Sequence, residues 1–164
     1  MDALNKVDPA FYPKMKLVLL GRATSPYAKM ILDELHSIEM QGLEVLSFSK
    51  YVPNETFSEE LNKADFLIAP VTIETEYLGV KEYYGKTKIS GVIGNIIHYA
   101  VPAIVNKELD IPDDLSDSII KFDSVDDLAK IFSRILTDES IIEAYHKKIL
   151  ENCKRFALQN YIWS

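Results

Sequence analysis

Five short apolar runs are spaced along this chain: Met15-Lys-Leu-Val-Leu-Leu-Gly21, Leu43-Glu-Val-Leu-Ser-Phe48, Asp65-Phe-Leu-Ile-Ala-Pro70, Pro102-Ala-Ile-Val-Asn106 and Ser118-Ile-Ile-Lys-Phe122. Each has strand length, and glycine or proline ends the first and third. Segments of helical spacing lie between them. Tyr27, Ile31, Leu35 and Ile38 mark one helix, which closes at Gly42. Phe57 and Leu61 mark a second, with Asn54 placed to cap it. A third covers Ile89 to Tyr99. Ser124 and Asp127 resemble a capping box that opens a fourth, with Leu128, Ile131, Ile135 and Leu136 inward. A last helix restarts at Thr137 or Asp138 and carries Ile142, Tyr145, Ile149 and Phe156 on one face. Strands that alternate with helices predict an α/β fold, a parallel sheet with helices on both faces.

The chain has 164 residues, which predicts one domain. A single cysteine, Cys153, rules out a disulfide framework and a multi-cysteine zinc site. The net charge of -7 argues against a surface built for nucleic acid. Acidic residues crowd between Lys107 and Asp127, where only Lys107 and Lys121 oppose them, and read as an acidic linker. Lys81 to Lys88 leans basic and suits either an anionic small ligand or a solvated loop. Met1 to Lys14 has no long apolar core of the kind a signal peptide carries, and no apolar run reaches the roughly 18 residues of a membrane span. With a lone cysteine, the expected location is cytoplasmic.

In open α/β sheets ligands bind beyond the carboxyl ends of the strands. The first run ends in Gly21-Arg22-Ala23, without a dinucleotide-binding glycine pattern, and no phosphate-loop motif occurs. A phospho-receiver reading fails as well, since it needs acids after the first strand and an aspartate ending a middle one. Arg22 reads as an anion contact at the sheet edge or as a plain surface arginine. The connection from Val71 to about Lys88 is longer than most loops in compact domains, and such loops are often functional. Within it Gly85 permits a tight turn. Thr87, Lys88 and Ser90 then fall at a helix start, followed by Gly91, and hydroxyls, amides and the helix dipole suit a phosphate there. Glu82 lies just upstream, where a carboxylate accepts hydrogen bonds from sugar hydroxyls. On composition these residues fit a nucleotide-sugar site or a capped helix beside a charged loop.

Other chemistry-bearing residues have plainer readings. His36, His98 and His146 share no metal-ligand spacing with a third ligand, and no metal site is expected. His98 reads as a helix C-terminal residue and Cys153 as core packing. Tyr83 stacks on a ligand or pins the loop, and Tyr84 pins it. Tyr161-Ile162-Trp163 is either an apolar docking end or a frayed terminus.

The order of these pieces resembles the C-terminal, donor-binding domain of GT-B glycosyltransferases, above all the retaining group that includes many capsule and lipopolysaccharide enzymes. Leu17-Val-Leu-Leu-Gly21 resembles that family's Leu-x-Ile-x-Gly strand, and Val45 to Ala64 its second strand and following helix. Ala64-Asp65-Phe-Leu-Ile-Ala-Pro70 resembles its Ala-Asp-to-Pro strand. Glu82-Tyr-Tyr-Gly85 resembles the start of its paired-glutamate motif, and Val101-Pro102-Ala-Ile104 the strand after the motif helix. Phe122 to Leu136 resembles the closing helix. Ser90 stands where the second glutamate of the motif falls, and the helix from Ser90 to Pro102 is longer than the family's usual one.

The resemblance implies a Rossmann-like domain that binds a nucleotide-diphosphate sugar for transfer to a glycan or lipid-linked acceptor. It implies no cofactor and no metal. Glu82 would contact the donor sugar. Amides near Ser90 and Gly91, with Thr87 and Lys88, would stabilise the leaving diphosphate. The family's upstream arginine and lysine have no counterpart in Lys6 or Arg22, and its acceptor-binding N-terminal domain is not matched. Met1 to Pro13 reads as the tail of a preceding helix and its loop. The chain is therefore expected to be the donor part of a larger enzyme, inactive alone, cytoplasmic or at the inner face of the membrane. The rival expectation is a non-enzymatic subunit that holds a nucleotide or sugar, or pairs with another chain.

Overall fold

The computed structural model describes side chains for residues 1–22, 24–70 and 91–155, and backbone alone for 74–77, 80–83 and 156–161. In chain order the elements are β1 Lys16–Arg22, α1 Pro26–Glu39, β2 Glu44–Phe48, α2 Asn54–Lys63, β3 Leu67–Ala69, β4 Glu74–Tyr77 and β5 Val80–Tyr83. They continue as α3 Gly91–Tyr99, β6 Ala103–Asn106, β7 Ile119–Phe122, α4 Val125–Thr137 and α5 Ser140–Tyr161. Parallel strands in small sheets, flanked by helices, make a Rossmann-like α/β fold. No described helix is long and apolar enough to cross a membrane. The chain forms two compact units, Met1–Glu60 with Ser124–Asp138, and Leu61–Asp123 with Glu139–Ser164.

In the first unit β1 and β2 run parallel, in register from Lys16 opposite Glu44 to Leu19 opposite Ser47, and then slip so that Arg22 faces Phe48. The turn into α1 is capped by Ser25, whose Oγ accepts from the Ala28 N–H at 3.0 Å, with Pro26 at the first helical position. The helix leaves through Gly42, at φ +105°, where a Cβ would lie 3.0 Å from Pro13 Cγ. Ser124 caps α4 as its spacing predicts, with Oγ accepting from the Asp127 N–H at 3.1 Å. The buried stripe of α4 is Ala129, Ile131, Phe132 and Ile135, whereas Leu128 and Leu136 are only half-buried. Phe132, absent from the expected stripe, is buried on the same face one turn after Leu128.

Two local expectations change in this unit. Residues before Met15 form 3-10 turns, Leu4–Lys6 and Pro9–Lys14, not the tail of an α-helix. Pro9 and Pro13 lack the N–H that an α-helix interior needs. The turns bury Leu4, Val7 and Tyr12, and the Tyr12 hydroxyl donates to the Leu4 carbonyl at 3.0 Å. Asn54 does not cap α2. It is the first helical residue, because the Phe57 N–H already bonds the Pro53 carbonyl, and its Oδ1 accepts from the Tyr51 hydroxyl at 3.0 Å.

In the second unit three parallel strands lie in the order β3-β6-β7, with Leu67 opposite Ala103 and Ala103 opposite Ile119. Ala69, Ala103, Val105 and Ile119 from the strands pack with Ile96 of α3 and Ile149 of α5. Leu109, Ile111 and Leu115 complete this core. The stretch read as an acidic linker is thus a structural segment. Its acids stay on the surface while its aliphatic residues are buried, and Asp113–Ser118 closes it as a 3-10 turn.

The long connection after β3 holds a feature its sequence reading missed. β4 and β5 form an antiparallel hairpin from Glu74 opposite Tyr83 to Tyr77 opposite Val80. α3 then ends on Ala100, a non-glycine residue at φ +47°.

Candidate functional site

The connection from β3 to β6 determines where α3 begins. Parallel pairing obliges the chain to return from the carboxyl end of β3 to the amino end of β6. α3 makes that return. Nine helical residues rise about 13 Å, close to the roughly 13 Å of a strand as short as β6. The N-terminus of α3 therefore lies toward the carboxyl end of β3, where folds of this class take ligands. One face of α3 is fixed by packing, with Ile96 fully buried and Val92, Ile93 and Ile97 against the same core.

On the other face the first turn carries two glycines. Gly91 and Gly94 are both exposed, and among the described residues a Cβ built on either meets nothing within 4 Å. Positions three apart share a helix face, so at these two positions the first turn presents backbone with no described side chain over it. A helix start carries partial positive charge, which favours an anion.

The sequence-derived site residues distribute as follows. Gly91 opens α3. Glu82 and Tyr83 lie on β5, in register opposite Thr75 and Glu74. Arg22 is the exposed last residue of β1, in the first unit. Gly85, Thr87, Lys88 and Ser90, and with them Tyr84, lie outside the described residues.

Neither a family model nor a curated protein matches this chain. What bears on function is its own order of elements around α3.

Several other polar residues have structural partners. His36 Nδ1 contacts the Glu39 carboxylate one turn on. The His98 ring stands edge-on to Tyr99 with centroids 4.6 Å apart. His146 Nε2 donates to the Asp65 carbonyl at 3.0 Å and ties α5 to the start of β3. Among the described residues no group of three or more His, Cys, Asp or Glu side chains is placed to hold a metal. Cys153 packs on the core, its thiol 3.8 Å from the Ile96 carbonyl, and burial pushes the thiol pKa up. A half-buried thiol with a raised pKa is a poor nucleophile, so core packing is its role.

Charged pairs on the first unit are also structural. Lys16 Nζ lies 3.4 Å from Glu44 and 3.5 Å from Glu60. The hydrogen bond to Glu44 is the main cause of its raised pKa. Lys6 bonds Asp126, which holds that carboxyl below its ordinary value. This pair lines an open depression of about 460 Å³ with Ala129, Lys130 and Ser133. Lys6 and Asp126 already neutralise one another there.

One polar cluster escaped the sequence reading. Asn152 and Ser118 are both buried. Asn152 Nδ2 donates to Asp117 Oδ1 at 2.6 Å and to Ser118 Oγ at 3.1 Å, and its own Oδ1 accepts from Arg155. The Ser118 hydroxyl donates to the Leu115 carbonyl at 2.7 Å. The signal was present, because Asn152 falls three residues after Ile149 on the apolar stripe of α5. The cluster fastens α5 to the 3-10 turn and leaves little of its hydrogen-bonding capacity for a ligand.

Proposed function

We propose that the chain is the donor-binding part of a GT-B-like glycosyltransferase and binds a nucleotide-diphosphate sugar for transfer to a glycan or lipid-linked acceptor. The glycine-lined first turn of α3, beside the carboxyl end of β3, is the observation that carries this reading. The Ala64-to-Pro70 strand and the Glu82-to-Gly85 piece, which resemble that family's motifs, support it. In this reading Thr87, Lys88, Ser90 and the Gly91 amide bind the diphosphate, and Gly85 is the residue type that permits a turn before them. Their donors stabilise the charge that grows on the diphosphate as the bond to the sugar breaks. Glu82 orients the sugar through its hydroxyls, and Tyr83 stacks on the donor.

Thermal denaturation with a panel of UDP-, GDP- and ADP-sugars tests the proposal. A ligand at 100 times its dissociation constant stabilises by about 2.7 kcal/mol, a clear rise in Tm. Glu82→Ala and Lys88→Ala should shrink that rise. No rise with any donor would overturn it.

A second reading, a module that binds the donor without transferring it, is favoured by Ser90 at the motif's second glutamate position. Transfer assayed after adding an acceptor-binding domain separates the two. Binding with no transfer under those conditions selects the module.

A further inference from the structure

We draw no further inference here: the strongest candidate, the exposed apolar patch of Tyr27 and Met30 on the N-terminal half of α1, is an unpartnered helix face, and nothing in the structure shows what covers it.

Discussion

Asn152 Nδ2 donates to Asp117 Oδ1 at 2.6 Å from a position only 1% exposed. The bond joins α5 to a turn inside the acidic stretch, and it belongs to a cluster whose members satisfy one another. Removing one partner of a buried hydrogen bond costs about 1–3 kcal/mol through the group left unpaired. Asn152→Ala should lose about that much in urea denaturation. Asp117→Asn keeps an acceptor at the same place and should lose less. Equal losses would mean that charge, and not the hydrogen bond, holds the turn.

Ala100 takes a left-handed conformation that costs an L-residue with a Cβ roughly 1–2 kcal/mol. Glycine adopts it freely and is the usual residue just past a helix end. Ala100→Gly should raise Tm by a few degrees. Gly42→Ala should do the reverse, because φ is +105° there and the new Cβ would press on Pro13. Calorimetry of both variants checks the pair.

Cys153 should resist alkylation in the folded protein and react promptly after unfolding. Burial disfavours the thiolate, so its folded pKa lies above the free-thiol value of 9.0. The unfolded chain loses this proton first as pH rises. The stability that the neutral thiol preserves is intact below pH 9.0 and declines above it. Iodoacetamide labelling followed by mass spectrometry reads the first effect. Denaturation of wild type against Cys153→Ser across pH 8 to 10 reads the second.

Gly91→Ala separates ligand binding from folding. Its Cβ meets nothing within 4 Å among the described residues, so stability without ligand should stay within about 0.5 kcal/mol of wild type. In the donor-binding reading a phosphate approaches that backbone, and the methyl group should reduce the rise in Tm that nucleotide sugars produce. An unchanged rise would place the ligand away from the first turn of α3.

Much of the fold is legible in sequence because burial and period agree. β1, β2 and β7 fall within a residue or so of their apolar runs, and Ser124 caps α4 at the spacing expected. Legibility fails where two signals compete. Charge in the 107–127 stretch hides Leu109, Ile111 and Leu115, although their spacing marks a buried side. At Asn54 a good capping residue sits next to Pro53, which starts the helix one position earlier. The hairpin had a local signal, since only Leu78 and Gly79 separate Tyr77 from Val80, but a long-loop reading absorbed it. Around the candidate site the sequence names residue types suited to a phosphate and a sugar, and the fold locates α3. Distances among those side chains depend on tertiary placement that no local pattern encodes.

The first compact unit is assembled from two separated lengths of chain, with α4 joining β1 and β2 only after β7 of the other unit has passed. During synthesis this has a cost in time. The strand pair emerges early and must wait for Val125–Thr137, while the second core waits for Ile149 of α5. Both cores therefore receive their closing helix only after their strands have emerged, and the nascent chain carries exposed aliphatic strands until Val125–Thr137 and then Ile149 have been made.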